Sequence, residues 1–169
     1  MGTDKASILL GDETLAVRTA RVLSAVADPV LEVGPGRSGL PTVLEEPPGE
    51  GPLAAIGAGW RALRDAGHDG PVLVLAADMP LVDEPALRGL AAAPGASVVP
   101  VRDGIAQPLC ARYGPADLDR IDGLLAEGKR AMRDLLDAIS PETIDLDPAV
   151  LEDVDTPADL ARVRARLGH

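Results

Sequence analysis

Short apolar bursts alternate with stretches of helical periodicity from one end of this chain to the other. That alternation predicts an α/β domain with a mostly parallel sheet and crossover helices. Thr14 can cap a helix running through Leu15, Val17, Ala20, Val22 and Leu23 to about Val26, with Asp28-Pro29 as its stop. Strands are expected at 29–33 and 42–44, followed by Glu45-Glu46-Pro47-Pro48-Gly49-Glu50-Gly51, too rich in Pro and Gly for regular structure. A helix over 52–66 has Pro at its start and Gly67 at its end. The run 72–77 is apolar throughout, which predicts a strand buried on both faces near the sheet centre.

Asp83 then caps a helix to about Ala91. Strands at 97–101 and 107–113 flank the turn Arg102-Asp103-Gly104, so an antiparallel portion is expected there. Helices are predicted over 116–126 and 130–139, and a strand over 143–146. Thr156 caps the last helix, with Pro157 at its first position and Asp159 in its first turn. No internal repeat or low-complexity segment breaks the pattern, and 169 residues fit a single domain.

Composition changes this picture in three places. Trp60 and Tyr113 are the only aromatics, so the core is aliphatic and aromatic platforms for single-stranded nucleic acid are excluded. The net charge of −11 repels nucleic acid and anionic membranes, and any triphosphate ligand needs local cations or a metal. Cys110 is the single cysteine, which permits no intrachain disulfide, and its apolar setting reads as a buried small hydrophobe or a reactive thiol. No signal peptide opens the chain and no apolar run is long enough to span a bilayer, so a cytoplasmic location is expected. The two histidines, His68 in a loop and His169 at the end, are expected in solvent.

Asp78 is the first candidate for chemistry. It follows the most apolar strand, and ligands of open α/β sheets bind beyond the carboxyl ends of strands. A carboxylate there either ligates a metal or caps the following turn. Asp153 and Asp155 share a face of an extended segment and either join Asp78 around a hard cation or form a solvated turn. Lys5 can set a point charge on phosphate oxygens. Gly51-Pro52-Leu53 opens a helix whose N-terminus can receive an anion or a base edge, or simply starts it. Gln107-Pro108-Leu109 and Gly128-Lys129-Arg130 are weaker when read singly.

Taken in order, Met-Gly-Thr-Asp-Lys, Gly-Pro-Leu-Ala-Ala, Ala-Asp-Met-Pro, Gln-Pro-Leu-Cys-Ala and Asp-Val-Asp-Thr-Pro-Ala-Asp-Leu resemble the molybdenum cofactor guanylyltransferases of the MobA type, from Met1 to about Leu167. The resemblance implies a Rossmann-like three-layer sandwich and magnesium-dependent transfer of GMP from GTP to molybdopterin, with release of pyrophosphate. Under it Lys5 and Asp78 are catalytic, and Asp78 and Asp155 hold Mg2+, with Asp153 the lesser candidate. Glu46, Gly51, Pro52 and Leu53 lie against guanine or ribose, while Gln107, Lys129 and Arg130 face the acceptor. Contacts with other proteins of molybdenum cofactor biosynthesis are implied as well.

Three departures from the family pattern carry expectations of their own. The pattern has a strand and a Leu-Ala-Gly-Gly-x-Ser-x-Arg loop before Met-Gly-x-Asp-Lys, whereas this sequence starts at that Met. A domain truncated at its amino terminus is therefore expected, with a sheet lacking one strand and a groove beside the strand ending at Ala77. The alternatives are a natural protein extending upstream or an inactive nucleotide-binding domain. Glu46 stands where the family commonly has aspartate. Asp153 and Asp155 stand where asparagines are common, and Asp-Val-Asp-Thr-Pro also resembles molybdopterin cytidylyltransferases. CTP as donor, or another acceptor as in phospholactate guanylyltransferases, is the alternative reading.

Overall fold

The computed structural model of the chain describes residues 5–168. A short 3-10 turn, Lys5–Ser7, leads into strands β1 (Leu9–Leu10) and β2 (Glu13–Thr14) and helix α1 (Leu15–Ser24). Strands β3 (Glu32–Val33) and β4 (Thr42–Val43) precede helix α2 (Pro52–Asp65), strand β5 (Val72–Leu75) and helix α3 (Glu84–Ala92). Then come β6 (Val98–Arg102), β7 (Ile105–Ala106), β8 (Cys110–Tyr113), α4 (Pro115–Leu118), α5 (Ile121–Ala126), α6 (Met132–Ile139), β9 (Glu142–Asp145) and α7 (Pro157–Leu167).

The largest sheet runs β5-β8-β6-β7, with β9 also paired to β6. β8 is antiparallel to both β5 and β6, and β9 is parallel to β6, so β5, β6 and β9 point the same way. The α/β class with an antiparallel portion is therefore present, and its reversal lies at β8. β6 and β7 form the hairpin expected at Arg102-Asp103-Gly104, with positive φ at both Asp103 and Gly104. Two central residues of that kind match the right-handed twist of the flanking strands. Residues 107–109 turn out of the sheet instead of extending β8, because the Cys110 N–H donates to the Gln107 carbonyl at 3.1 Å.

Helix starts follow their caps. Thr14 accepts from the Val17 N–H at 3.2 Å and Asp83 from the Ala86 N–H at 2.9 Å, each cap stabilising its helix by about 1 kcal/mol. The helix expected over 116–126 is two pieces. The Arg120 N–H bonds back three residues to Asp117, which tightens the turn, and Asp119 accepts the Trp60 indole N–H at 2.8 Å. The helix expected from 130 starts at Met132, leaving Lys129 and Arg130 in the preceding loop. His68 is half-buried, edge-on to Trp60 with ring centres 6.5 Å apart, rather than in solvent; His169 lies outside the described residues. Cys110 is buried, and burial pushes its thiol up to about 12, so it is an inert core residue.

Two aliphatic clusters cover the sheet. Leu53, Trp60, Leu63, Val99 and Tyr113 pack with Val72 and Val74 on one side. Leu23, Val82, Leu87, Leu90 and Val98 pack with Leu73 and Leu75 on the other. Alternation along β5 thus sends successive side chains to opposite clusters. The expectation that this run sits deep at the sheet centre does not hold among the described residues. β5 ends its sheet, pairs with β8 alone, and is only half-buried. A groove of about 540 Å³ runs along its other edge, lined among others by Leu31, Val33, Ile56, Trp60, Leu73 and Leu75. Solvent reaches β5 through that open edge, not through its faces. Among the described residues, no helix is long and apolar enough to cross a membrane.

Leu87 is fully buried in the second cluster, whereas Leu44 is 66% exposed. Leu87→Ala is expected to cost about 2–5 kcal/mol in denaturant unfolding, and Leu44→Ala to stay within about 0.5 kcal/mol. Equal effects of the two would contradict this core.

Candidate active site at the carboxyl end of the sheet

β5 delivers the chain to Asp78. The Ala76 N–H still bonds the Leu109 carbonyl at 2.7 Å, and the Met79 N–H then turns back to Ala76 at 3.3 Å. That tight turn leaves Asp78 half-buried at the strand's carboxyl end. Two long-range bonds fix it. The Val154 N–H donates to the Asp78 carbonyl at 2.8 Å, which docks the 153–155 segment beside it. Arg18 on α1 donates through Nε to the Pro80 carbonyl at 2.6 Å.

The ammonium of Lys5 joins the two segments. Its Nζ donates a short hydrogen bond to Asp155 Oδ1 and lies 3.6 Å from Asp78 Oδ2. Hydrogen bonding to Asp155 raises the Lys5 pKa most, aided by the charge of Asp78 and opposed by partial desolvation. The same hydrogen bond from Lys5 is the largest influence holding the Asp155 carboxyl below its usual range. Both groups are ionised at neutral pH. Asp153 diverges toward Arg102, whose Nη1 is 3.8 Å from its Oδ1 and also donates to the Leu151 carbonyl at 3.0 Å.

The 153–156 segment is held by the start of α7. Asp159 accepts from the Thr156 hydroxyl at 2.7 Å and from the Thr156 N–H at 2.6 Å, while Thr156 Oγ1 accepts from the Asp159 N–H at 3.2 Å. This reciprocal cap, with Thr156 as the leading partner, draws the Asp159 carboxyl down to about 2.

A second group forms where α2 begins. Gly51 caps α2 with φ 95° and no side-chain hydrogen bond to the first turn. A Cβ there would also crowd the Arg130 carbonyl oxygen at 3.3 Å, so the positive φ favours glycine and the space adds to that preference. Glu50 pairs with Arg130, whose Nη1 also donates to the Leu125 and Lys129 carbonyls at 2.9 and 2.8 Å. Leu53 packs in the same cluster as Leu109 and Met132, which joins this group to the rim that carries Asp78.

The remaining candidates are placed differently. Gln107 Nε2 donates to the Ile105 carbonyl at 3.1 Å. Lys129 pairs with Glu127 at 2.8 Å. Glu46 is exposed, and its neighbour Glu45 closes the Pro/Gly loop by accepting from the Gly49 N–H at 2.6 Å. The motif residues 1–4 lie outside the described residues. Sequence reasoning missed Glu50, Arg102 and Arg18. Arg18 is linked through Glu13, whose Oε1 lies 3.2 Å from Arg18 Nη1 and 2.7 Å from Arg21 Nη2. An Arg pair three residues apart on α1 is the one local signal that could have marked it.

Among the described residues, no cluster of three or more His, Cys, Asp or Glu side chains is placed to hold a metal. Asp78 and Asp155 are a pair of carboxylates converging on one cation. Such a pair suits Mg2+, which takes one or two protein carboxylates and fills its octahedron with phosphate oxygens and water.

The shifts fix a pH response. Asp159 and Asp155 have folded pKa values below their unfolded ones, so their stabilising contributions are present above about pH 4 and fade as pH falls through the folded values. Lys5 is shifted upward, so its contribution is present below about pH 10.4 and fades as pH rises through the folded value. Carboxyl NMR titration is expected to place Asp159 at about 2. Asp155→Asn is expected to lower the Lys5 midpoint. An Asp159 midpoint near 4, or an unmoved Lys5, would mean these contacts do not form in solution.

Comparison with known proteins bears on the family and the fold. Residues 1–143 match the model of the MobA-like NTP transferase domain. A curated relative, "Probable molybdenum cofactor guanylyltransferase" of Mycobacterium avium (strain 104), is 36% identical over 171 residues, covering 95% of this chain and 86% of that protein. The fold matches molybdopterin-guanine dinucleotide biosynthesis protein A from Archaeoglobus fulgidus, with a TM-score of 0.71 at 22% identity over 99% of this chain and 92% of that one. It also matches 2-C-methyl-D-erythritol 4-phosphate cytidylyltransferase from Thermus thermophilus, with a TM-score of 0.70 at 19% identity over 98% and 94%. The nucleotidyltransferase fold is thus shared, and with a family match over most of its length the chain belongs to the MobA-like NTP transferases.

Proposed function

We propose that this chain transfers GMP from GTP to the phosphate of molybdopterin, releasing pyrophosphate, with Lys5, Asp78 and Asp155 as the centre of the site. The observation that carries the reading is the convergence of two carboxylates on one lysine ammonium beyond the carboxyl end of β5. The guanine and molybdopterin assignments draw on the name of the 36%-identical mycobacterial relative.

The chemistry needs no protein nucleophile. An acceptor phosphate oxygen attacks the α-phosphorus of GTP, forming a new P–O bond. The bond from that phosphorus to the β-phosphate bridging oxygen breaks, and its electron pair leaves with pyrophosphate. The protein aligns the two phosphates and offsets their charge. Mg2+ held by Asp78 and Asp155 would supply charge neutralisation on the triphosphate oxygens. Lys5 is kept protonated by its carboxylate neighbours and can exchange those contacts for phosphate oxygens. On a chain of net charge −11, these local cations are what make the rim hospitable to a triphosphate.

The start of α2, capped by Gly51 without a side-chain hydrogen bond and followed by Pro52 and Leu53, leaves backbone donors toward the nucleotide. Arg130, positioned by Glu50, and Lys129 beyond it provide cations for the acceptor phosphate. Gln107, whose side-chain amide bonds the Ile105 carbonyl on the loop before β8, is assigned to the acceptor by the family pattern alone. Glu46 is exposed on the Pro/Gly loop and is assigned to the guanine or ribose edge.

With Mg2+, GTP is expected to raise the thermal midpoint more than CTP does, and adding molybdopterin to release pyrophosphate. Asp78→Asn and Lys5→Ala are each expected to lower kcat/KM roughly 10²–10³-fold with the fold intact by circular dichroism. Stabilisation by CTP alone would transfer the reading to a cytidylyltransferase. Full activity of Asp78→Asn would remove Asp78 from the site.

A further inference from the structure

The contact between Lys5 and Asp78 does not hold itself in place. Lys5 Nζ lies 3.6 Å from Asp78 Oδ2, beyond the usual hydrogen-bond range, and the two side chains are 30% and 33% exposed. An ion pair that open to water contributes too little to fix the spacing of two chain segments. The Lys5 turn is bonded into its own hairpin. The Ile8 N–H donates to the Lys5 carbonyl and the Leu15 N–H to the Ile8 carbonyl, each at 3.0 Å. Lys5 is therefore carried by one unit with β1, β2 and the start of α1. Whatever ties that unit to the Asp78 turn sets the spacing.

Arg18, in the first turn of α1, makes that tie. Its Nε donates at 2.6 Å to the carbonyl of Pro80, two residues past Asp78, and its side chain is only 18% exposed. Glu13 on β2 orients the guanidinium by accepting from Nη1 at 3.2 Å. Arg21 in turn holds Glu13, donating through Nη2 at 2.7 Å and through Nε at 3.2 Å. A planar guanidinium reaches the carbonyl and the carboxylate at once, in two fixed directions. Aliphatic packing backs the tie: Leu81 from the Asp78 side and Ile8 from the Lys5 side meet Leu10, Leu15 and Val154 in one cluster. Two other arginine–carbonyl bonds hold the same unit elsewhere. Arg164 on α7 donates to the Leu9 carbonyl at 2.9 Å, and Arg88 on α3 reaches the Ala25 carbonyl at 3.2 Å, at the far end of α1. Neither bonds the turn that carries Asp78.

We propose that Arg18 is a positioning residue for the transfer step: oriented by Glu13, it holds the Pro80 carbonyl and thereby fixes the Asp78 turn against the unit that carries Lys5. The inference rests on the reading of Lys5, Asp78 and Asp155 as the centre of the site. Arg18 touches no reacting atom in this role. Its effect is on alignment, because a carboxylate and a lysine from different segments must meet the same triphosphate. A shift of about 1 Å in one of them costs up to roughly 100-fold in rate. Ground-state binding tolerates such a shift better than the transition state does, so the loss falls on kcat and not on KM for GTP. Glu13 acts through Arg18, so removing either residue removes the same interaction.

The test compares Arg18→Ala, Arg18→Lys and Glu13→Ala in the full chain, with Arg88→Ala as the matched loss of an arginine–carbonyl bond on α1. One readout needs no substrate: hydrogen exchange of the Val154 amide, which bonds the Asp78 carbonyl. Arg18→Ala is expected to speed that exchange at least about 10-fold while the helical amides of Leu87 and Leu124 keep their rates. The other readout is GMP transfer. Arg18→Ala is expected to lower kcat roughly 10–100-fold with KM for GTP near its original value, and Arg18→Lys to recover most of the loss. Glu13→Ala is expected to lower kcat in the same direction and to add nothing in the Arg18→Ala background. Because Glu13→Ala leaves Arg18 in place, it gives both readouts even if Arg18→Ala does not fold. Three outcomes overturn the proposal: equal acceleration of all three amides, an unchanged Val154 rate, or a raised KM for GTP at unchanged kcat. A wild-type chain that transfers no GMP would sink the GTP reading alone, since the exchange comparison still decides whether Arg18 fixes the turn.

Discussion

The hydrogen bond from the Val154 N–H to the Asp78 carbonyl is the contact on which the site depends. It joins segments far apart in the chain and brings Asp155 within reach of the lysine that also approaches Asp78. Each side is separately braced. Arg18 holds the Pro80 carbonyl from α1, and the Thr156–Asp159 cap fixes the path from Val154 into α7. Val154 itself is fully buried in a small cluster with Leu10, Leu15 and Val163, which places the bond beside an apolar patch.

Three charges set by that frame are what the proposed reading relies on for an acidic chain to receive a polyanion. Lys5 neutralises part of two carboxylates, and those carboxylates keep it charged. The arrangement is a solvent-accessible ion triad rather than a buried one, so its worth lies in placing charge, not in stability. The pair Glu50–Arg130 does comparable work at the start of α2, where Gly51 permits the close approach of the Arg130 backbone.

Much of this was legible in the sequence because it rests on local chemistry. Caps at Thr14, Asp83 and Thr156, the hairpin at Asp103-Gly104 and the strand leading to Asp78 are written in residues that interact within a few positions. Lys5, Asp78 and Asp155 were named through the ordered motifs of a family, and the structure brings those three together. What stayed hidden was long-range. No local pattern ties Arg18 to Pro80, 62 residues on, or Glu50 to Arg130, 80 residues on. The apolar run of β5 correctly signals a strand with two covered faces, but periodicity says nothing about how many edges are paired.

The central claim, that Asp78 and Asp155 jointly hold a divalent cation against a triphosphate, can be read directly with Mn2+ in place of Mg2+. In the presence of GTP, paramagnetic broadening is expected to centre on the amides of Met79, Val154 and Asp155 and to disappear in Asp78→Asn. Broadening centred elsewhere, or unchanged by that substitution, would contradict the account.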